Sequence, residues 1–208
     1  PAAPRHHVYY YLDLVAGLGL EAGPPDLKID LPAKELGEAD ELLAGLGIPA
    51  GRPLLTLCPG AGFGPAKRWP ARHFAAAASR LQDRRGAEVL IVGSAAEAGI
   101  AEEVRREMRR PPRVLTGGTS LRQLMGLLAR STLVLANDSG PMHLAVALGV
   151  PVVAVFGPTD PAVTGPFAPP SRFLKRDVPC WPCFYRRCPL DHRCMTLVPP
   201  DEAAAAAE

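Results

Sequence analysis

The chain has 208 residues, with 23 Lys and Arg against 21 Asp and Glu, for a formal net charge of +2. That length suits one domain with a substantial core, and a composition of 48% hydrophobic and 21% charged residues excludes disorder along most of it. The near-neutral balance gives no electrostatic footing for nucleic-acid binding. The longest apolar run, residues 144–156, is broken by Gly149 and Pro151 and is too short to span a bilayer.

Residues 1–14 lack the basic-then-apolar order of a secretory signal, so none is expected. Residues 1–51 read as a connecting segment or the tail of a preceding domain, not as a domain in their own right. A short amphipathic helix over 9–18 closes at Gly17 or Gly19, Pro24, Pro25 and Pro32 break the chain, and a second helix over 35–46 is closed by Gly47 and Pro49. From Arg52 the pattern becomes regular. Strands are expected at 54–57, 88–93, 113–116, 132–136 and 152–156, with a sixth at 173–174. Helices are expected at 70–85, 99–110, 121–129 and 141–148, and the alanine-rich tail 201–208 reads as a truncated helix. The strands are apolar throughout, without polar alternation, which marks a parallel sheet covered on both faces. The fold class is therefore a doubly wound, Rossmann-like α/β domain spanning 52–208, with ligands beyond the carboxyl ends of its strands.

The loops at that edge carry the chemistry. The first runs from Cys58 through Gly60, Gly62, Phe63 and Gly64 to Lys67, Arg68 and Trp69. It matches neither the dinucleotide fingerprint nor the phosphate loop of nucleotide hydrolases, but it places three glycines and a basic pair just before a helix. Glycines let backbone N–H groups approach an anion, and the helix start adds positive charge; the alternative is a flexible turn with solvated basic residues. The fourth loop reads Asn137-Asp138-Ser139-Gly140-Pro141-Met142-His143. Asp138 suits sugar hydroxyls, or else it and Ser139 are helix caps; His143 is a ligand contact or a half-buried, hydrogen-bonded histidine. Glu97, after the second strand, holds ribose hydroxyls or decorates a helix start. The fifth loop, 157–161, reads by itself as a rigid turn. Anion-binding backbone, a lysine and carboxylates on one sheet edge suit a nucleoside diphosphate carrying a sugar.

These three strings, 59–70, 137–143 and 156–161, together resemble the ADP-heptose:lipopolysaccharide heptosyltransferases of glycosyltransferase family 9, and the segment 180–194 resembles their heptosyltransferase II branch. The resemblance covers about residues 52–195. It implies a GT-B enzyme of two Rossmann-like domains, of which this chain matches the carboxyl-terminal, donor-binding half. The lipid-acceptor domain and its acidic general base are expected outside this chain, so the chain alone is expected to be inactive. By position, the resemblance puts Lys67 on the diphosphate as leaving-group stabiliser and Gly62 and Phe63 beside phosphate through their backbone N–H groups. It puts Asp138 on the heptose and Gly140 on phosphate, with Ser139 and His143 in the same donor motif, Glu97 on the ribose and Thr119 near the adenine. The implied partners are ADP-heptose and, through the other domain, the lipopolysaccharide core, with peripheral membrane association in the full-length protein. The implied location is the cytoplasm, at the inner face of the bacterial inner membrane. No cofactor is implied, and no Asp-x-Asp string suggests a metal-bridged diphosphate.

There are 5 cysteines, an odd count that does not read as a secreted disulfide framework and points to a reducing compartment. Cys180, Cys183, Cys188 and Cys194, with His192 among them, admit a tetrahedral zinc site, buried thiols, or one or two disulfides. Two other functions remain open: a relative using another nucleotide sugar, and a stand-alone nucleotide-binding module without activity.

Overall fold

A computed structural model describes residues 4–208. Six parallel strands form one sheet: β1 (Leu54–Cys58), β2 (Glu88–Gly93), β3 (Arg113–Thr116), β4 (Leu133–Asn137), β5 (Val152–Val155) and β6 (Arg172–Leu174), in the order β3-β2-β1-β4-β5-β6. Successive residues of the four inner strands enter opposite cores, as a pleated strand requires. Leu55, Leu57, Val89, Ile91 and Leu135 pack on one face with α3 (Ala71–Arg85), α4 (Ala98–Glu107) and α9 (Pro200–Ala206). Leu54, Cys58, Leu90, Val92 and Val134 pack on the other with α2 (Ala33–Gly45), α5 (Leu121–Ala129) and α6 (Gly140–Ala147). The apolar runs are continuous because both faces of the sheet are covered.

The expected elements are present, with shifted ends. The helix expected at 99–110 starts at Ala98, behind a 3-10 turn over Ala95–Glu97, and stops at Glu107, because Met108 leaves helical geometry and is buried against the core. Within 1–51, α2 packs directly on α5. Gly126 on α5 makes the close approach possible, since a Cβ there would lie 2.7 Å from the Glu35 carbonyl oxygen. Ala39 and Leu43 are buried in the same core as Leu127 and Leu128. Helix α1 (His7–Gly17) buries only Val8 and leaves Tyr10, Tyr11, Leu14 and Leu18 exposed. Two four-residue helices complete the chain, α7 (Pro161–Thr164) and α8 (Arg193–Thr196). No helix among the described residues is long and apolar enough to cross a membrane.

The sheet order reverses at β1, where β2 leaves on one side and β4 on the other. The crevice for a ligand in such a sheet lies beyond the strand ends at that point.

Candidate functional site

The loops after β1 and β4 meet above this switch point because Asn137 joins them. Its buried amide Nδ2 donates to the carbonyls of Pro59 (2.8 Å) and Gly60 (3.2 Å), and its Oδ1 accepts from Trp69 N–H (2.9 Å). Trp69 is fully buried, and its indole N–H donates to the Val198 carbonyl at 3.0 Å. A polar residue ending an apolar strand thus fixes both walls of a cavity of about 370 Å³. Sequence reasoning assigned Asn137 no role of its own; an uncharged amide closing the strand run was the signal available.

Lys67 leaves the 3-10 turn Pro65–Lys67 and points into this cavity. Its Nζ lies 2.5 Å from Asp138 Oδ2, with the two side chains only 12% and 4% exposed. Thr159 Oγ1 donates to the same carboxylate oxygen at 2.6 Å. Asp138 therefore does not cap a helix; it anchors Lys67 and Thr159. The exposed ring of Phe63 lies 4.8 Å from Lys67 Nζ and 5.5 Å from the Arg186 guanidinium carbon, a face-on cation arrangement. The Phe63 side chain thus shapes the site through its ring, which the motif comparison had left to its backbone.

Ser139 is the N-cap residue of α6, but its Oγ donates to the Asn137 carbonyl at 3.2 Å and caps nothing. Pro141 has no N–H, and a Cβ on Gly140 would meet open space. The start of α6 therefore faces the cavity without a capping side chain, as an anion site requires. Gly62 also opens onto free space on the cavity wall.

His143 lines the cavity from the first turn of α6. Burial lowers its pKa; the Asp138 carboxylate opposes this, while His6, Lys67 and His7 add to the lowering. The imidazole is held neutral, with one donor and one acceptor nitrogen. Glu97 lines the cavity from the loop after β2, where its Oε2 accepts from the Ser94 N–H and hydroxyl, both at 2.8 Å. It is both a helix-start cap and a wall of the site, and a Cβ at Gly60 would overlap its carboxylate. Thr119, half-buried in the loop after β3, lies outside the cavity wall.

The segment 180–194 supports the Lys67 turn from outside. Ala66 N–H donates to the Arg186 carbonyl (3.1 Å), and His192 Nε2 donates to the Ala66 carbonyl (2.7 Å). A Cβ at Gly64 would overlap the Arg186 carbonyl oxygen. Pro158 O accepts from the N–H groups of Cys183 and Phe184, and the Trp181 indole donates to the Thr159 carbonyl at 3.2 Å. His192 has a positive φ of 58°, which costs a non-glycine residue free energy. These contacts span up to 126 residues of sequence and left no local signal. Cys180, Cys183, Cys188 and Cys194 line one small space of about 20 Å³ with unpaired thiols. Burial, and then the neighbouring Cys188, Cys183 and Cys180, push Cys194 up to about 11. Among the described residues, no group of three or more His, Cys, Asp or Glu is arranged to hold a metal ion.

The chain that carries this cavity and its buried lysine–carboxylate pair is similar to known proteins over most of its length. The family model described as glycosyltransferase family 9 (heptosyltransferase) matches residues 1–193. Lipopolysaccharide heptosyltransferase 2 of Escherichia coli K12 is 43% identical over 128 residues, covering 60% of this chain and 36% of that protein. Lipooligosaccharide heptosyltransferase 2 of Campylobacter jejuni serotype O:2 is 34% identical over 211 residues, covering 98% of this chain and 63% of that protein. Among solved structures, the E. coli ADP-heptose lipopolysaccharide heptosyltransferase II superposes with a TM-score of 0.74 at 29% identity, over 89% of this chain and 53% of that one. The chain thus spans between about a third and two thirds of the length of these two curated relatives. With the doubly wound sheet, the loop motifs and a match over residues 1–193, the chain belongs to glycosyltransferase family 9.

Proposed function

We propose that this chain is the donor-binding half of a glycosyltransferase that moves heptose from ADP-heptose to the inner core of lipopolysaccharide, with inversion at the anomeric carbon. The observation that carries this is the single cavity joining Glu97, the Lys67–Asp138 pair and the uncapped start of α6. The relatives' names supply the sugar and the acceptor class.

In this reading Glu97 takes the ribose hydroxyls and Asp138 the sugar hydroxyls. An ammonium group has three N–H bonds; one meets Asp138, and two remain for the diphosphate. The acceptor hydroxyl displaces ADP, and negative charge grows on the β-phosphate as the bond breaks. Lys67, the loop N–H groups and the α6 helix start lie in place before that charge develops, which is how fixed dipoles lower a barrier. The general base and the acceptor contacts belong to the remaining length of the protein. A charged nucleotide sugar does not cross a bilayer and the acceptor is an amphiphile, which supports a transfer at the cytoplasmic face of the inner membrane.

The test is ADP release from ADP-heptose with a lipopolysaccharide-core acceptor, using the whole protein that carries this chain. Lys67→Ala is expected to lower the rate about 10²–10³-fold, as for loss of one oxyanion donor. A loss below tenfold would remove Lys67 from leaving-group stabilisation.

A further inference from the structure

A second cavity of about 400 Å³ lies between α1, the 24–27 segment and α6. His143 and Thr164 line it and also line the donor cavity, so the two spaces meet at these residues. Its lining also includes His7 and Tyr11 from α1 and Asp26 from the 24–27 segment: an imidazole, a phenol and a carboxylate. Resting on the donor-site reading above, we propose that this second cavity seats the exocyclic tail of the transferred sugar, with Thr164 and Tyr11 selecting a heptose over a shorter hexose.

The first argument is order along the sheet edge. Glu97 follows β2, Lys67 follows β1, Asp138 and the α6 start follow β4, and Thr164 follows β5, and the sheet order β2-β1-β4-β5 sets them side by side in that sequence. With the nucleoside at Glu97 and the diphosphate at Lys67, the group beyond the β-phosphate reaches His143 and Thr164. The second cavity opens from those two residues. A heptose exceeds a hexose by one hydroxyl-bearing carbon, at the end of the tail.

The second argument is an unmet polar atom. Thr164 Oγ1 is buried and has no hydrogen-bond partner among the described residues. A buried hydroxyl without a partner is costly to the free protein. A sugar hydroxyl at the junction supplies that partner. His143 beside it is neutral and both donates and accepts, as hydroxyl recognition requires.

The third argument is that the α1 side of this cavity is fixed in place. His6 Nδ1 accepts from Val8 N–H at 3.2 Å, and His6 Nε2 donates to the Gly165 carbonyl at 3.0 Å. The His6 ring stacks on Phe167 with centroids 4.5 Å apart, and Tyr9 meets the same ring edge-on at 5.7 Å. His6 is thus a strut joining α1 to the residue after Thr164, and the wall bearing His7 and Tyr11 stands where a ligand finds it preformed.

The experiment is calorimetric titration of the chain with ADP, ADP-heptose and an ADP-hexose one carbon shorter. The native chain is expected to prefer ADP-heptose over both. Thr164→Val removes the hydroxyl at nearly constant shape, and Tyr11→Phe removes an exposed phenol from the second cavity alone. Each is expected to cut the affinity ratio of ADP-heptose to ADP about three- to tenfold, the worth of one or two hydrogen bonds. Thr164→Val is also expected to hold or raise the melting temperature, because it deletes an unmet polar atom, which separates a ligand role from a structural one. Ratios within twofold of native in both variants overturn the proposal while leaving the donor site intact. Failure of the native chain to bind ADP overturns the donor-site reading, and the proposal with it.

Discussion

Replacing Lys67 by Met leaves the Asp138 carboxylate in a site where its side chain is 4% exposed, with only the Thr159 hydroxyl as partner. At 2.5 Å and an effective dielectric constant of about 20, the gross attraction lost is about 7 kcal/mol. The cost of desolvating both ions in the native protein offsets much of this, and loss of one partner of a buried pair typically costs about 3–5 kcal/mol. Because the Lys67 side chain keeps 12% exposure, the lower end applies: about 3 kcal/mol, or a fall of about 6–12 °C in melting temperature for a domain of this size. Asp138→Asn is milder, since its amide oxygen still accepts from Thr159 and Lys67 retains the Phe63 ring and some solvent. The double variant Lys67→Met/Asp138→Asn carries no unpaired charge and is expected to be more stable than Lys67→Met alone. Urea unfolding followed by circular dichroism measures all four proteins. A cost below about 1 kcal/mol for Lys67→Met would make the pair no better than a surface ion pair, and strict additivity in the double variant would show that the two side chains do not couple.

Three further outcomes follow from the geometry. His192→Gly removes both the bond to the Ala66 carbonyl and the positive-φ cost, so stability is expected to stay within about 1 kcal/mol of native while ADP binding weakens severalfold; unchanged binding in a titration would detach segment 180–194 from the Lys67 turn. His143 and His73 both have lowered pKa values, each mainly through burial. The unfolded chain therefore takes up protons first as pH falls, so stability is present above about pH 6.5, the ordinary histidine value, and declines as pH falls below it; melting curves in which His143→Gln keeps the whole of that slope would rule out a contribution from His143. Burial, with Glu97 adding, pushes Cys58 up to about 12, whereas Cys180 is exposed, so alkylation read by mass spectrometry should label Cys180 first and Cys58 last; equal labelling would contradict the burial of β1.

The sheet was legible because each strand is an apolar run bounded by Gly, Pro or a charged helix, and the edge strand Arg172–Leu174 was visible as Phe173-Leu174. Lys67, Asp138 and His143 were legible because their loops sit directly after β1 and β4, where the fold puts ligands. Thr159, Thr164 and His192 were not. Each acts through tertiary contact with a loop far away in sequence, and no periodic pattern marks such a contact. The short helices Pro161–Thr164 and Arg193–Thr196 fall below the length at which periodicity can be read. Thr119, placed by the motif spacing near the adenine, is not among the residues that line the cavity. The pairing of Lys67 with Asp138 was also hidden, since the motifs assign these residues to different parts of the ligand and the fold brings them together before any ligand arrives.

The most direct measurement is calorimetric titration of the chain with ADP and with UDP, repeated for Lys67→Ala. A donor site for an ADP-linked sugar predicts single-site binding of ADP, weaker binding of UDP, and at least a tenfold loss of ADP affinity in the variant. Tighter binding of UDP, or ADP binding that does not depend on Lys67, would contradict it.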